Sequence, residues 1–206
     1  FLTGTDEHGL KMKQTAAKEG LTPRELADRN AKRFREMAGL LGLSNDDFIR
    51  TTEPRHYRAS EEIWRRMDKA GDIFLKKYAG WYSVRDEAYF AESETELRGG
   101  VRVATSSGAE VTWTEEQTYF FRLSKYQKPL LDFYAANPSF IEPDVRRNEI
   151  LRLVEAGLED ISVSRAGQAW GIPLPFDPGS VFYVWYDALI NYAAAVGYGS
   201  DDTKFG

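Results

Sequence analysis

The first part of the chain alternates between strand-like and helical patterns of hydrophobic residues. Residues 1–6 have the character of the end of a buried strand that runs into a polar turn, and residues 11–19 have helical spacing. A longer helical pattern extends from Thr22 to Gly42, and residues 47–52 again read as a strand. Two strands separated by two helices predict a crossover unit, which favours a parallel sheet.

The longer helix has a clear predicted start and one apolar stripe. Thr22 is a suitable N-cap, Pro23 fits the first helical position, and Glu25 can complete a capping box. The stripe consists of Leu26, Phe34, Met37 and Leu41. This spacing predicts that one face of the helix is buried. A further helical pattern covers residues 55–71, and its inward positions are predicted to be Ile63, Trp64 and Met67.

Short aromatic segments dominate the middle of the chain. They lie at 78–84, 87–90, 111–114 and 118–122, with turn-forming Gly-Gly and Ser-Ser-Gly sequences between them. This pattern is typical of antiparallel hairpins. Two more helices are predicted over residues 124–136 and 146–157. A domain inserted into an α/β core explains this change of pattern best.

The last part of the chain returns to strand and helix. Residues 161–165 alternate apolar and polar positions, which is the period of a half-buried strand. Residues 181–185 form an apolar run that leads directly into a helical pattern ending near Tyr192. Strands and helices at both ends of the chain therefore predict one α/β core that encloses the inserted hairpins.

The composition narrows the class of protein. Of 206 residues, 42% are hydrophobic and 14% aromatic, and no apolar run approaches the ~18 residues that a membrane-spanning helix needs. The chain contains no Cys, which excludes disulfides, thiolate zinc sites and cysteine nucleophiles. The net charge of −5 argues against a sequence-independent DNA-binding protein. The absence of thiols and of a signal peptide predicts a cytoplasmic protein.

Asp6 and His8 stand where a ligand is expected. They follow the first predicted strand, and ligands of open α/β sheets lie outside the carboxyl ends of the strands. Asp6 can hold a ligand ammonium there, and His8 can donate to a phosphate or a ribose. On spacing alone, an ordinary turn in which Asp6 caps the next helix and His8 is solvated is the commoner arrangement.

A second candidate is an aromatic face on the last helix. Trp185, Ala188, Leu189 and Tyr192 follow one another at i, i+3, i+4 and i+7. Two aromatic residues that flank a small one form an apolar slot, which suits a thioether because sulfur makes favourable contacts with aromatic rings. Periodicity alone favours the alternative that this face packs into the core.

A third candidate is Arg165, at the end of the strand over residues 161–165. An Arg in this position can bind a carboxylate or a phosphate in bidentate fashion, although a surface charge is the commoner role. The basic pairs elsewhere in the chain are most simply solvated, with contact to a nucleic acid backbone as a less common alternative. They are Arg65-Arg66, Lys76-Lys77 and Arg146-Arg147.

Several segments, read in order, resemble methionyl-tRNA synthetases, a family of class I aminoacyl-tRNA synthetases. These segments are FLTGTDEHG (1–9), FIRTTEPRHYRASEE (48–62), GWYSV (80–84), RNEILRL (147–153), SVSR (162–165), WGIP (170–173) and YVWYDALINY (183–192). They run through nearly the whole chain at family-like spacings, and several are too long for chance agreement.

The resemblance implies a Rossmann-type parallel-sheet core interrupted by a small connective insertion rich in β-hairpins. The implied division is 1–72 for the first part of the core, 73–159 for the insertion and 160–206 for the return to the core. The implied reaction is activation of methionine by ATP, with Mg²⁺, to methionyl-adenylate, followed by transfer to methionine tRNA. Neither DNA nor a membrane is expected as a partner.

The resemblance also implies roles for individual residues. Asp6 matches an Asp that holds the ammonium of the amino acid, and His8 matches a His of the substrate site. Arg165 matches a catalytic Arg near the carboxylate and the adenylate. The residues implied to line the methionine pocket are Trp185, Ala188, Leu189 and Tyr192. Of these, Leu189 stands where some family members have Pro.

The chain departs from the family at its insertion. Family insertions often bind zinc through Cys-x-x-Cys, but Ser83-Val84-Arg85-Asp86 occupies the place of the first such motif. A metal-free insertion is therefore expected. Aromatic hairpin residues are predicted to hold it together, namely Trp81, Tyr82, Tyr89, Phe90, Trp113, Tyr119 and Phe120.

The chain also lacks both ATP-binding motifs of the family. The HIGH-type motif would precede Phe1 and the KMSKS-type loop would follow Gly206. We therefore expect a fragment of a longer enzyme that is inactive on its own.

Other functions compete with this interpretation. A class I synthetase for leucine, isoleucine, valine or cysteine shares the core and the insertion. A non-catalytic RNA-binding homologue could keep the same fold. A dinucleotide oxidoreductase is a weaker option, because no G-x-G-x-x-G follows a strand.

Overall fold

A computed structural model describes residues 1–167 and 170–200, and the remainder of the predicted C-terminal core part lies outside the described residues. The helices are α1 (Leu10–Lys18), α2 (Pro23–Leu40), α3 (Pro54–Lys69), α4 (Gln127–Ala136), α5 (Asp144–Glu155) and α6 (Val184–Ala195). The strands are β1 (Leu2–Thr5), β2 (Asp47–Arg50), β3 (Ile73–Ser83), β4 (Ala88–Phe90), β5 (Thr95–Arg98), β6 (Val101–Ala104), β7 (Thr112–Phe121), β8 (Ile161–Ser162), β9 (Ser164–Ala166) and β10 (Ser180–Phe182). The fold is mixed α/β.

The crossover unit at the start of the chain is confirmed. β1 pairs in parallel with β2, from Leu2 opposite Asp47 to Thr5 opposite Arg50, and α1 and α2 connect the two strands. The prediction that the first strand is buried is wrong, since Leu2 is 38% exposed. Within the described residues β1 has β2 as its only partner strand, so its other edge is not covered by a strand.

The capping box of α2 is confirmed, but its buried face is not the predicted one. The Thr22 hydroxyl accepts from the Glu25 amide at 3.2 Å, and the Glu25 carboxylate accepts from the Thr22 amide at 2.8 Å. Leu26 is buried as predicted, whereas Phe34, Met37 and Leu41 are exposed. The small side chains Ala27, Ala31 and Ala38 face inward instead. They let α2 lie close to α1 and β1, which turns the larger apolar residues outward.

The inserted hairpins form an antiparallel sheet in the order β4-β3-β7-β8. The whole of β7 pairs with β3, from Ile73 opposite Phe121 to Tyr82 opposite Thr112. The two short strands predicted at 111–114 and 118–122 are thus one strand. β5 and β6 form a separate hairpin, and Gly99 and Gly100 make its turn with positive φ of 57° and 84°.

The predicted strand over residues 161–165 is divided between two sheets. β8 pairs antiparallel with β7, and β9 pairs antiparallel with β10. Val163 lies between them, donating to the Tyr119 carbonyl at 2.9 Å and accepting from the Tyr183 amide at 2.9 Å. In the part of the chain that the structure describes, the parallel pairing is confined to β1 and β2.

Helix α3 packs against both β3 and α6. Trp64 is fully buried, as predicted, in a cluster with Val163, Ile172, Leu174 and Phe182. A second cluster packs α3 against α6, and it contains Ile49, Ala59, Ile190, Ala194 and Tyr198. α6 is therefore held firmly along one side. Over the described ranges, no helix is long and apolar enough to cross a membrane.

Candidate functional site

Helix α6 is where the three sets of candidate residues meet. Its N-cap is Tyr183, and its inward side chains Asp187, Ala188, Ile190 and Ala194 are buried. The loop after β1 reaches α6 with Asp6 and His8. Arg165 of β9 reaches its first turn through Tyr183. Residues far apart in sequence are thus brought to one helix, which packs against α3 and β2.

Asp6 lies beside α6 and is exposed to solvent on its other side. One carboxylate oxygen accepts from the side-chain amide of Asn191 at 3.4 Å. The alternative in which Asp6 caps α1 is wrong, because α1 has Gly9 at its N-cap and no side-chain cap. Partial desolvation, and next the negative charge of Asp187, raise the pKa of Asp6 above its ordinary value. A bound cation would lower this pKa again, because a nearby positive charge favours the ionised carboxylate.

The aromatic face of α6 points away from the core. Trp185, Leu189 and Tyr192 are 58%, 66% and 67% exposed, while Ala188 is buried at their base. The alternative in which these side chains pack into the core is therefore wrong for the three large ones. They form an apolar surface on the same helix that contacts Asp6.

His8 is buried rather than solvated. Its Nδ1 lies 2.6 Å from Oδ2 of Asp187, and its Nε2 lies 3.2 Å from the hydroxyl of Tyr57. The side chain is 2% exposed. His8 also meets the ring of Trp170 edge-on, at 5.5 Å between centroids. These contacts leave the imidazole with one orientation, two residues beyond Asp6.

The second histidine of the chain binds the same carboxylate. His56, in the first turn of α3, places Nε2 at 2.5 Å from Oδ1 of Asp187, and both side chains are buried. Burial alone would raise the pKa of Asp187, but the hydrogen bonds from His56 and His8 outweigh it and lower the pKa below the usual value. Asp187 is therefore a charged group inside the protein.

Arg165 is buried as well, so the surface-charge alternative is wrong. Its Nη1 donates to the Ser162 hydroxyl at 2.8 Å and to the Ser164 carbonyl at 2.7 Å. The guanidinium lies 4.0 Å from the ring centroid of Tyr183, a cation–π contact. Burial raises the pKa of Tyr183 to about 12, although Arg165 opposes it. Nε of Arg165 has no hydrogen-bond partner and is 3.8 Å from the carboxylate of Glu116.

Glu87 joins the insertion to this site. Its carboxylate accepts from the backbone amide of Lys11 at 3.1 Å, at the positive end of α1. Its carbonyl accepts from the hydroxyl of Tyr183 at 2.7 Å. A Cβ on Gly9 would come within 2.6 Å of this carboxylate, so the contact needs glycine there. Glu87 itself has a φ of +50°, which is a strained value for a residue with a side chain.

A cleft of about 270 Å³ opens beside Asp6 and His8 and extends toward α2. Met12, Thr15 and Leu26 contribute to its lining. Within the two described ranges, no group of three or more His, Asp or Glu residues is arranged to hold a metal ion.

Hydrogen bonds link two turns of the insertion at the place of the family's first Cys-x-x-Cys motif. The Ser107 hydroxyl donates to the Asp86 carboxylate at 2.5 Å, and the Asp86 amide donates to the Ser83 hydroxyl at 3.1 Å. Arg85 donates to the Ser107 carbonyl at 2.5 Å. A metal-free insertion stays a prediction, and these bonds are compatible with it.

Three side chains of the site were not predicted to belong to it, namely Asp187, His56 and Glu87. Asp187 and His56 lie within segments that carry the family resemblance, and the chain has two histidines, both of which bind Asp187. The signal in the sequence was that His56 and Asp187 both lie in segments that carry the resemblance. Glu87 had no local signal, because its role depends on how the insertion folds back on α1.

Known proteins match the chain over nearly its whole length. A family model described as tRNA synthetases class I (M) matches residues 1–100 and 101–205. A methionine–tRNA ligase of Rhizobium meliloti is 60% identical over 98% of this chain, which is 39% of that protein. One from Mycobacterium tuberculosis is 54% identical over 99% of this chain and 39% of its own length. The chain thus spans about two fifths of these relatives.

Solved structures agree with the sequence matches. The crystal structure of Mycobacterium tuberculosis methionyl-tRNA synthetase bound by methionyl-adenylate has a TM-score of 0.92 and 54% identity, and it covers 100% of this chain and 41% of its own. The ligand-free form from the same organism has a TM-score of 0.77 and covers 88% of this chain and 37% of its own.

Proposed function

The chain belongs to the class I (M) family of tRNA synthetases, and from this we propose that the longer protein containing it is a methionine–tRNA ligase. It would activate methionine with ATP and transfer the methionyl group to methionine tRNA. Relatives at 54–61% identity carry this name, and structures with a TM-score of 0.92 or more hold methionyl-adenylate. Since the chain spans about two fifths of those relatives, the activity is proposed for the whole protein.

One observation carries the proposal: the helix that presents the exposed aromatic face, α6, also contacts the carboxylate of Asp6. Asp6 contacts α6 at Asn191, one residue before Tyr192. A carboxylate suits the ammonium of an amino acid, and the face of Trp185 and Tyr192 suits an unbranched thioether side chain. Methionine carries both groups at the two ends of one molecule.

Activation would depend on orientation. The methionine ammonium binds Asp6 and the side chain lies against Trp185, which directs the carboxylate toward ATP. One carboxylate oxygen then attacks the α-phosphorus and the bond to the leaving pyrophosphate breaks. Little covalent help from the protein is needed, because positioning and charge stabilisation lower the barrier. Mg²⁺ enters with ATP as part of the substrate.

Arg165 would supply positive charge near this reaction. It is held by Ser162 and by the ring of Tyr183, the residue that begins α6. A buried guanidinium with a preset orientation stabilises developing negative charge more effectively than a mobile one in water. His8, two residues after Asp6, is also proposed to belong to the substrate site.

The architecture proposed for the whole protein follows from the family. β1 and β2 would be two strands of a larger, Rossmann-type parallel sheet. Residues 1–72 and 160–206 would form the core and residues 73–159 a connective insertion without zinc. Localisation to the cytoplasm is proposed on the same basis. Stoichiometric zinc in the purified protein, measured by elemental analysis, would contradict the metal-free insertion.

The proposal is tested on the full-length protein by methionine-dependent exchange of pyrophosphate into ATP and by aminoacylation of methionine tRNA. Methionine should also raise the melting temperature more than leucine, isoleucine, valine or cysteine does. A larger effect of one of the other amino acids would favour a different class I synthetase. Binding of tRNA without exchange would favour a non-catalytic homologue. The isolated 206 residues should be inactive.

A further inference from the structure

A buried chain of hydrogen bonds runs behind the methionine site. It links the Tyr57 hydroxyl, the two nitrogens of His8, the two oxygens of Asp187 and Nε2 of His56. The three distances are 3.2, 2.6 and 2.5 Å. The side chains of His8, Asp187 and His56 are each 2% exposed or less. The proposed chemistry uses none of these contacts except through His8.

The carboxylate of Asp187 restricts how the protons of this chain can be arranged. Both oxygens of Asp187 need donors, so His8 donates from Nδ1 and His56 from Nε2. Nε2 of His8 then accepts from the Tyr57 hydroxyl. Nδ1 of His56 is buried without a partner, which a lone pair tolerates better than an N–H does.

The position of Asp187 connects the two halves of the site. On one side it is adjacent to Ala188 and two residues from Trp185, on the helix that carries the aromatic face. On the other side it binds His8, two residues from Asp6. Among the residues that the structure describes, Asp6 makes one hydrogen bond to α6, a long one from Asn191 at 3.4 Å. The short bond between His8 and Asp187 is the firmer link.

We propose that Asp187 is a positioning residue for methionine: through His8 and His56 its carboxylate sets the distance between Asp6 and the aromatic face of α6. This inference rests on the proposed function. Asp187 does not touch the substrate in this account. It holds the loop that binds the ammonium at the right distance from the helix that binds the thioether.

Replacing Asp187 by Asn removes this arrangement while keeping the size of the side chain. The Asn side chain has one acceptor, its carbonyl oxygen, and one donor, its amide nitrogen. The amide nitrogen would therefore face an N–H of either His8 or His56, and two donors cannot form a hydrogen bond. One histidine must then change tautomer or move. A displacement of about 1 Å at such a site costs on the order of 100-fold in rate.

The test measures exchange of pyrophosphate into ATP by the full-length enzyme and its Asp187→Asn variant, with methionine and ATP varied separately. We expect the KM for methionine to rise about 10- to 100-fold, with the KM for ATP changed far less. The matched control is Asp72→Asn. Asp72 is equally buried and hydrogen-bonded, to Lys125 and Tyr126, but it lies on the insertion side of α3. It should leave the KM for methionine unchanged.

A second pair of variants covers the case in which Asp187→Asn does not fold. His56→Gln keeps a side-chain N–H that can reach Asp187, and its KM for methionine should stay near that of the wild type. His56→Leu lacks the donor and should raise that KM. The inference would be overturned if His56→Gln and His56→Leu had the same KM for methionine. It would also be overturned if Asp187→Asn and Asp72→Asn both lowered kcat and left the KM for methionine unchanged. A wild-type enzyme without methionine-dependent exchange would overturn the proposed function instead.

Discussion

The polar and apolar ends of the proposed methionine site are built in opposite ways. At the polar end, His8, Asp187 and His56 are buried and bonded to one another before any ligand arrives. At the apolar end, Trp185, Leu189 and Tyr192 are more than half exposed. Both ends are attached to the same helix: Asp187 of α6 binds His8, and the three large side chains project from α6 into solvent.

This difference shows which end of the site fixes the positions of its side chains. Buried charges must be paired, so the polar end has a single low-energy arrangement. The exposed rings at the apolar end can be covered by many different groups, and their own packing does not favour one of these groups. The polar end therefore sets the geometry, and the apolar end supplies contact area to whatever covers it.

The largest effect is expected from Asp6→Ala in the full-length protein. Removing one partner of a charge pair costs ~2–5 kcal/mol, so kcat/KM for methionine should fall by about 30-fold to several thousand-fold. The melting temperature should hardly change, because Asp6 is exposed and has one weak hydrogen bond. Exchange kinetics and thermal unfolding measure the two quantities. A variant that bound methionine normally would remove Asp6 from the site.

Trp185→Ala is expected to have the next largest effect. Loss of the ring removes apolar and sulfur–aromatic contact worth ~2 kcal/mol, which is about a 30-fold rise in the KM for methionine. Trp113→Ala is the matched control, since Trp113 is similarly exposed, at 50%, but lies in the insertion. The Trp113 variant should keep the wild-type KM. Equal effects of the two substitutions would contradict a specific role of the aromatic face.

The charge of Asp187 predicts a pH-dependent stability difference. Its hydrogen bonds from the two histidines hold its pKa below the ordinary value in the folded state. The resulting stabilisation is present above the unfolded pKa of ~3.9 and is lost as the pH falls through the folded value. The gap in melting temperature between wild type and Asp187→Asn should thus be constant near neutral pH and shrink below about pH 4.

The control for this measurement is Trp113→Ala, which changes no charge. The difference in melting temperature between this variant and the wild type should not depend on pH. A gap for Asp187→Asn that widened on acidification would mean that the carboxylate is destabilised by its surroundings.

The smallest effect is expected from Ser107→Ala in the insertion. It removes the hydrogen bond to Asp86 that links the two turns, worth ~0.5–1.5 kcal/mol. The free energy of unfolding should fall by about this amount, with unchanged exchange kinetics. A change in the KM for methionine would show that the insertion turns are coupled to the site.

Local features of the fold were predictable from the sequence. The capping box of α2 depends on residues three positions apart, and Thr22 and Glu25 form it as predicted. The parallel pairing of β1 and β2 followed from the order of strands and helices. Phe34 and Met37 were predicted to be buried and are exposed, because a stripe of apolar residues does not reveal which neighbouring element will cover it.

The candidate site was predictable only in part. Asp6 and the aromatic face of α6 came from motifs, whereas their connection through Asp187 did not. The hydrogen bonds of Asp187 span 179 residues to His8 and 131 residues to His56. No spacing rule reaches that far, since such contacts arise when β1, α3 and α6 pack together. The burial of Arg165 was missed for the same reason.

The most direct test of the central claim is the position of methionine in a crystal structure of the full-length protein with the amino acid bound. We expect the methionine nitrogen to lie about 2.7–2.9 Å from a carboxylate oxygen of Asp6 and the sulfur ~5 Å from the ring of Trp185. Methionine bound in another cavity, or with its side chain away from α6, would contradict it.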